Sequence, residues 1–175
     1  MSRSIADRLR RVKLLLLDAD GVLTDGNIIY NDAGSEIKAF NVKDGLGIRL
    51  LMTAGIQVGI VTGRSSAALR QRCKDLGIDL LFDGVKDKAA LLDSISEQTG
   101  ICAEDMAFAG DDLPDLPIMR RVGFSVAVAD AHRIVRDLAD MVTDERGGRG
   151  AVRQICEAIL DAQGLWEKVT ERFLI

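Results

Sequence analysis

The sequence contains few of the residues on which several classes of protein depend. It has a single histidine (His132), three cysteines and two prolines. One histidine cannot form a two-histidine metal site, and it argues against a Ser–His catalytic pair. The cysteines, Cys73, Cys102 and Cys156, lie far apart without a CxxC pair. Such scattered thiols are typical of reduced, intracellular proteins and not of a disulfide framework or a zinc site.

Aromatic residues, positive charge and long apolar runs are also scarce. One tryptophan, one tyrosine and five phenylalanines argue against a base-stacking surface, and a formal net charge of −4 argues against nucleic acid as a partner. The run of leucines at 14–17 ends at Asp18 and is far shorter than the ~18 apolar residues of a membrane span. We therefore expect a cytoplasmic protein without a nucleic-acid or membrane partner. The length suits one domain over residues 1–175.

Short apolar runs alternate along the chain with helical patterns. In those patterns apolar residues recur three and four positions apart, as at Leu69, Cys73 and Leu76 and again within 152–159. This alternation predicts right-handed crossovers and a doubly wound, Rossmann-like α/β fold, with a parallel sheet and helices on both of its faces. The predicted strands span 12–17, 56–61, 78–82, 106–109, 124–128 and 141–143.

One segment interrupts the alternation. Two short strand-like runs, 27–30 and 36–40, flank the turn-rich sequence Asn31-Asp32-Ala33-Gly34. They predict a β-hairpin over 27–40 that projects from the sheet. The last residues, 164–175, form a short tail in which Trp166 and Phe173 are expected to pack against the domain.

Polar residues follow the predicted strands at the points where the strands end. Asp18 and Asp20 follow the first strand, Thr62-Gly63-Arg64 the second, and Asp111, Asp112 and Asp115 the fourth, while Lys88 begins the helix after the third. The carboxyl ends of parallel strands share one edge of the sheet, where such folds bind ligands.

Several carboxylates at this edge require a cation. Two like charges ~4 Å apart at an effective dielectric constant of about 20 repel by roughly 4 kcal/mol. Asp18, Asp20 and Asp111 therefore predict a bound ion, and hard oxygen ligands suit Mg²⁺. Such an ion would attract a phosphate, whose remaining charge Lys88 and the amide of Gly63 would offset.

These residues resemble the haloacid dehalogenase (HAD) phosphatase superfamily. Its four motifs occur in order, each at a strand end or a helix start: Asp18-x-Asp20-Gly21-Val22-x-Thr24, Thr62-Gly63-Arg64, Lys88 and Gly110-Asp111-Asp112-x-x-Asp115.

The resemblance implies a role for each motif residue. Asp18 is the expected nucleophile, which forms an aspartyl-phosphate, and Asp20 the expected general acid and base. Thr62 and Lys88 are expected to hold the transferring phosphoryl group. The Asp18 side chain, the Asp20 carbonyl and Asp111 are the expected Mg²⁺ ligands. Asp112 and Asp115 are expected to orient the metal-bound waters, and the alternative is that they only cap the following helix.

No cap domain is expected, because a hairpin, a helix and a strand fill 21–61 and a helix and a strand fill 63–87. Six segments spread over nearly the whole chain, 20–26, 41–49, 62–64, 110–112, 126–132 and 147–153, carry a closer resemblance. In them the chain resembles a capless, tetrameric subgroup, the 3-deoxy-D-manno-octulosonate 8-phosphate (KDO 8-phosphate) phosphatases of lipopolysaccharide synthesis. We expect a homo-oligomer, a tetramer by this resemblance, formed through the hairpin. The tail after Arg149 is expected to fold over a neighbouring site.

The resemblance also implies which residues contact the substrate. They are Asp20, a loop of Asn41, Val42, Lys43, Asp44 and Gly45, then Arg49, Thr62, Gly63, Arg64, Arg72 and Lys88.

Three other functions compete with this interpretation. A phosphatase for a nine-carbon, sialic-type acid phosphate differs only in its substrate. A receiver-type phosphoacceptor module shares the sheet, the acidic site and the lysine, but places its acceptor after the third strand, where Asp83 lies without an acidic cluster. A catalytically inactive scaffold ranks last, because all four motifs are intact.

Overall fold

The computed structural model describes residues 4–174. Positions 1–3, at the start of the expected domain, and Ile175, at the end of the expected tail, lie outside the described residues. The described chain forms the predicted α/β fold, with strands β1 (Leu14–Leu17), β2 (Ile29–Tyr30), β3 (Glu36–Ile37), β4 (Gln57–Val61), β5 (Leu80–Phe82), β6 (Met106–Gly110), β7 (Phe124–Ala127) and β8 (Met141–Val142).

Six of these strands form one parallel sheet in the order β5-β4-β1-β6-β7-β8. Each lies within one of the predicted apolar runs or ends one residue from it. The central strand β1 consists of four leucines, all fully buried. A strand buried on both faces requires such an uninterrupted apolar run. Phe108 and Phe124, on β6 and β7, are the largest of the fully buried side chains.

The helices follow the predicted periodicity. Leu69, Cys73 and Leu76 form the buried face of α3, and the apolar positions of 152–159 are buried in α7. The described residues form eight α-helices: α1 (Ile5–Leu9), α2 (Val42–Thr53), α3 (Ala67–Leu76), α4 (Leu92–Thr99), α5 (Leu116–Met119), α6 (Arg133–Leu138), α7 (Ala151–Ala162) and α8 (Trp166–Thr170). None of the helices formed by residues 4–174 combines the length and the apolar character needed to cross a membrane.

The hairpin forms as predicted, but its strands are shorter. β2 and β3 pair antiparallel, with Ile29 opposite Ile37 and Tyr30 opposite Glu36. The side chain of Asn31 closes the turn by accepting hydrogen bonds from the amides of Ala33 and Ser35. The ribbon forms a sheet of its own, separate from the six-stranded one.

The chain after Arg149 packs against its own domain, and its expected contact with a neighbouring site stays a prediction. Helix α7 packs against α2, and α8 contacts both, so 151–170 belongs to the core of its own chain. Trp166 packs partly buried against this core, with the Arg153 guanidinium above its ring. The expected packing of Phe173 is wrong, since this side chain is exposed.

Candidate active site

The carboxyl ends of β1, β4 and β6 meet at one cavity of about 330 Å³. These are the three central strands of the sheet, and Asp18, Thr62 and Asp111 follow them directly. The cavity is lined by Asp18, Asp20, Gly26, Thr62, Gly63, Arg64, Val85, Lys86, Lys88, Asp111, Asp112, Pro114 and Asp115. All four sequence motifs therefore contribute to one site.

Asp18 lies buried at this cavity and is held through one carboxylate oxygen. Its Oδ1 accepts a hydrogen bond of 2.7 Å from the Ala19 amide and lies 2.8 Å from Lys88 Nζ. Burial, and then the nearby charge of Asp115, raise the pKa of Asp18 to about 6, although Lys88 opposes the shift. Neither contact involves Oδ2.

Lys88 lies between two carboxylates. Its Nζ is 2.8 Å from Asp18 Oδ1 and 2.6 Å from Asp115 Oδ1, and it lies 5.7 Å from the centre of the Phe108 ring. Burial lowers the pKa of Lys88, but the two carboxylates outweigh burial, so that its pKa is raised overall. The site therefore contains a fixed ammonium charge.

Asp115 lines the cavity and contacts both Lys88 and the Asp111 amide. It is almost fully buried, and its Oδ2 accepts a hydrogen bond of 2.9 Å from the Asp111 amide. Asp112 is exposed and accepts a hydrogen bond from the Leu113 amide. In this structure Asp112 therefore caps the following helical turn. A side chain at Gly110 would place its Cβ 2.4 Å from the Asp115 carboxylate, so only glycine permits this approach.

Three carboxylates converge within reach of one ion. Oxygens of Asp18, Asp111 and Asp115 all lie within 4.8 Å of one another. Burial raises the pKa of Asp111 to about 7, with further contributions from the charges of Asp18, Asp115 and Asp112. Gly21, at φ +85°, lies so close to Asp111 that a Cβ there would approach Oδ2 to 2.0 Å. The backbone after β1 is thus packed directly against this carboxylate.

Thr62 and Gly63 form the turn after β4 beside the carboxylates. Thr62 is buried, its amide donates to the carbonyl of Phe82, and its carbonyl accepts from the Val85 amide. The turn is therefore tied to the end of β5, which fixes the Thr62 hydroxyl at the cavity.

The hairpin contributes residues that the sequence analysis missed. Lys38 contacts the Asp20 carboxylate and lies 2.8 Å from Glu36, which in turn lies 2.5 Å from Arg64. One signal was available in the sequence, because residues two apart in a strand share a face, and a Glu-x-Lys pair at 36–38 presents both charges to one side. Which side faces the cavity was not visible in the sequence.

The expected loop at Asn41–Gly45 is wrong. Asn41 is the N-cap of α2 and accepts hydrogen bonds from the amides of Lys43 and Asp44, while Val42, Lys43, Asp44 and Gly45 form the first turn of the helix. Asp44 is buried and accepts hydrogen bonds from the amides of Gly150 and Arg153, at the start of α7. Burial raises its pKa. Asp44 thus joins two helices.

Two further residues that were predicted to contact the substrate line a different surface depression. Arg49 and Arg72 line a depression of about 180 Å³ together with Val42, Gly45, Leu46 and Leu76. Arg72 donates a hydrogen bond to the carbonyl of Asn41, and Arg49 donates one to that of Asp75. Within a single chain, neither arginine lines the cavity that contains Asp18.

Comparisons with known proteins agree with the motifs and the fold. The sequence profile of haloacid dehalogenase-like hydrolases matches residues 81–155. The chain is 46% identical over 164 residues to the 3-deoxy-D-manno-octulosonate 8-phosphate phosphatase of Escherichia coli K12, covering 94% of this chain and 87% of the relative.

Solved structures give the same result. The phosphatase of the same description from Moraxella catarrhalis, crystallised with magnesium, phosphate and KDO, superposes with a TM-score of 0.94 at 43% identity, covering 97% of each chain. The one from Yersinia pestis gives a TM-score of 0.91 at 45% identity, covering 93% of this chain and 88% of the other. The resemblance inferred from the motifs is confirmed: the chain belongs to the 3-deoxy-D-manno-octulosonate 8-phosphate phosphatase family of haloacid dehalogenase-like hydrolases.

Proposed function

We propose that the chain is a Mg²⁺-dependent phosphatase that hydrolyses KDO 8-phosphate to KDO and phosphate in lipopolysaccharide synthesis. The observation that carries this proposal is the buried Asp18 carboxylate, held by Lys88 beside Asp111 in the cavity at the sheet edge. A relative that is 43% identical binds magnesium, phosphate and KDO.

The acidic side chains of the cavity fit a magnesium ion. Three carboxylates meet there, and Lys88 is the cation that contacts two of them, Asp18 and Asp115. Burial raises the pKa values of Asp18 and Asp111, and the remaining negative charge of the neighbouring carboxylates raises them further. We assign the side chains of Asp18 and Asp111 and the carbonyl of Asp20 as ligands, since Mg²⁺ prefers oxygen ligands and retains several waters. When bound, the ion neutralises the carboxylates and stabilises negative charge on the phosphoryl oxygens.

The supporting residues divide between the ion and the phosphoryl group. Asp115 accepts a hydrogen bond from the Asp111 amide and contacts Lys88. We propose that it thereby holds both residues in place beside Asp18, and that it and Asp112 orient the metal-bound waters. Thr62, the Gly63 amide and Lys88 hold the phosphoryl oxygens.

In the first step an oxygen of Asp18 attacks phosphorus. A bond forms between that oxygen and phosphorus, the bond from phosphorus to the sugar oxygen breaks, and Asp20 donates its proton to the departing alkoxide. In the second step the Asp20 carboxylate takes a proton from water, whose oxygen attacks phosphorus. The bond to Asp18 breaks, which releases phosphate and regenerates the carboxylate.

We also propose that the chain works as a homo-oligomer, a tetramer by resemblance. The hairpin at 27–40 exposes four large apolar side chains, Ile28, Ile29, Tyr30 and Ile37. A two-stranded ribbon is marginally stable alone, and its edges favour pairing. Because Asn41, Val42, Lys43, Asp44, Gly45, Arg49 and Arg72 do not line the cavity of their own chain, we propose them as sugar contacts only within the assembled oligomer.

Arg64 places a guanidinium group at the cavity of the single chain, and this group is suited to bind the carboxylate of a sugar acid.

We further propose that the protein is cytoplasmic and that residues 1–175 form one hydrolase domain. Cys73, Cys102 and Cys156 are all free thiols, which supports a reducing compartment.

The receiver-type alternative is disfavoured by the residue after β5. Asp83, which occupies the position of a receiver's acceptor, forms an ion pair of 2.7 Å with Arg70 and does not line the cavity. The nine-carbon substrate remains the competing assignment.

Phosphate release distinguishes the two sugars. With Mg²⁺ present, we expect a higher kcat/KM for KDO 8-phosphate than for a nine-carbon sialic-type acid 9-phosphate, and no release after chelation of the metal. Faster release from the nine-carbon substrate would replace the proposed sugar, and a stable phosphoprotein without turnover would restore the receiver interpretation.

Asp18→Asn removes the nucleophile but keeps the shape of the side chain. We expect turnover to fall by roughly a thousandfold or more, and no phosphoprotein to appear after acid quench. Asp79→Asn is the matched control, since Asp79 is exposed and precedes β5 at the opposite edge of the sheet. Covalent catalysis by Asp18 is wrong if the Asn variant keeps near-normal rates.

Magnesium affinity is expected to fall as pH is lowered. In the metal-free chain the pKa values of Asp18 and Asp111 are raised to about 6 and about 7, so protons compete with the ion below neutrality. Between pH 8 and pH 6 we expect affinity to weaken by about tenfold or more, measured by calorimetry. Asp111→Asn should bind more weakly and with a flatter pH dependence. An affinity that is constant between pH 6 and 8 contradicts this account.

A charge on the hairpin tests the assembly. Ile29→Asp places a carboxylate in the exposed apolar patch, and we expect analytical ultracentrifugation to show monomers with poor turnover of the sugar phosphate. Ile134→Asp, at an exposed isoleucine of α6, should leave the assembly unchanged. An intact oligomer in the Ile29→Asp variant removes the hairpin from the interface.

A further inference from the structure

Lys38 lies between the general acid and a second carboxylate. Its side chain is 2% exposed, although it belongs to a hairpin whose large apolar residues are exposed. Nζ contacts Asp20 Oδ1 and lies 2.8 Å from Glu36 Oε1. A lysine is rarely buried without a paired charge, and here it has two.

Arg64 completes a closed set of four charges. Its Nη2 lies 2.5 Å from Glu36 Oε2, and its Nε lies 3.5 Å from Asp20 Oδ2. Each oxygen of Asp20 thus faces a different cation, and the same holds for Glu36. The hydrogen bonds with Lys38 and Arg64 lower the pKa of Glu36 to about 2, so Glu36 remains charged. We call Asp20, Glu36, Lys38 and Arg64 the charge ring.

The two cations of the ring are not equivalent. The Arg64 side chain is 42% exposed, and water screens an ion pair at that exposure. The buried Lys38 contact is screened much less, and loss of one partner from a buried pair leaves an unpaired charge in a poorly solvated place. Lys38 is therefore the stronger restraint on the Asp20 carboxyl group.

We propose that Lys38, anchored by Glu36, is a positioning residue that holds the Asp20 carboxyl group in the orientation needed for proton transfer to the leaving oxygen. The inference rests on the proposed phosphatase function and adds to it a role for the base of the hairpin. A general acid must lie within hydrogen-bond reach of the atom that it protonates. Donation of the proton leaves the Asp20 carboxylate negative. The two cations, Lys38 and Arg64, then balance the charges of Asp20 and Glu36.

This role has a signature in the leaving group. A sugar alkoxide leaves phosphorus only when it is protonated, whereas p-nitrophenolate leaves without a proton. Lys38 therefore matters for the first chemical step with a sugar phosphate, and not for the same step with p-nitrophenyl phosphate. A residue that only stabilised the fold would change the rate of this step equally for both substrates.

The experiment measures the first step in single turnovers of the Mg²⁺-loaded full chain. With KDO 8-phosphate, or the alkyl phosphate that the wild type hydrolyses best, we expect Lys38→Met to slow release of the alcohol by about ten- to hundredfold. Release of p-nitrophenol should change by about twofold at most. In the steady state kcat should fall for the alkyl phosphate, while KM changes little.

Three further variants isolate the interaction. Lys38→Arg keeps the positive charge and should recover most of the alkyl phosphate rate. Glu36→Gln removes the anchor but leaves the Lys38 contact with Asp20, so an intermediate loss is expected, again only for the alkyl phosphate. Lys74→Met, at an exposed lysine of α3, should have no effect. Melting temperatures show which variants are folded, and Glu36→Gln carries the test if Lys38→Met does not fold.

The outcomes separate the inference from the function on which it rests. Equal losses for both substrates, or no loss for either, overturn the positioning role while the wild-type activity stands. A rise in KM with unchanged kcat also overturns it, because Lys38 then binds substrate directly. A wild-type chain that hydrolyses no phosphate ester overturns the proposed function and, with it, this inference.

Discussion

The site depends on the burial of like charges beside the ammonium group of Lys88. Adjacent parallel strands β1 and β6 place Leu17 opposite Ala109, so the carboxylates that follow them, Asp18 and Asp111, meet at the sheet edge. Burial raises the pKa values of both acids, and the neighbouring carboxylates, whose charge Lys88 compensates only in part, raise them further. The same imbalance explains why the site needs a divalent cation and how it attracts a phosphate once the ion is bound.

The hairpin combines two kinds of surface. On its outer side it exposes isoleucines and a tyrosine, which suits contact with another chain. At its base, Glu36 and Lys38 pair with Asp20 and Arg64, two residues that line the cavity of their own chain. Because one short ribbon carries both surfaces, the proposed assembly through its outer side is linked physically to the geometry of Asp20, the proposed general acid.

The parts of the structure that follow local patterns were predictable. Apolar runs located the strands, since a strand buried on both faces needs them, and polar residues at strand ends identified the cavity because the carboxyl ends of parallel strands share an edge. Errors had two sources. At the start of α2 the sequence analysis missed a local cap, in which Asn41 accepts hydrogen bonds from the amides of Lys43 and Asp44. The burial of Asp44 depends on a partner distant in sequence, the amide of Arg153 at the start of α7.

The sequence by itself determined the order of strands and helices, the four motifs and the need for a cation, because these follow from the periodicity of apolar residues and from the number of carboxylates at strand ends. Only the tertiary structure decided which charges pair. Lys38 and Asp20 are separated by a turn-rich loop, and their contact exists because the hairpin folds back onto the sheet edge. Side-chain pairing across such a distance depends on three-dimensional direction, which a linear pattern of residues does not contain.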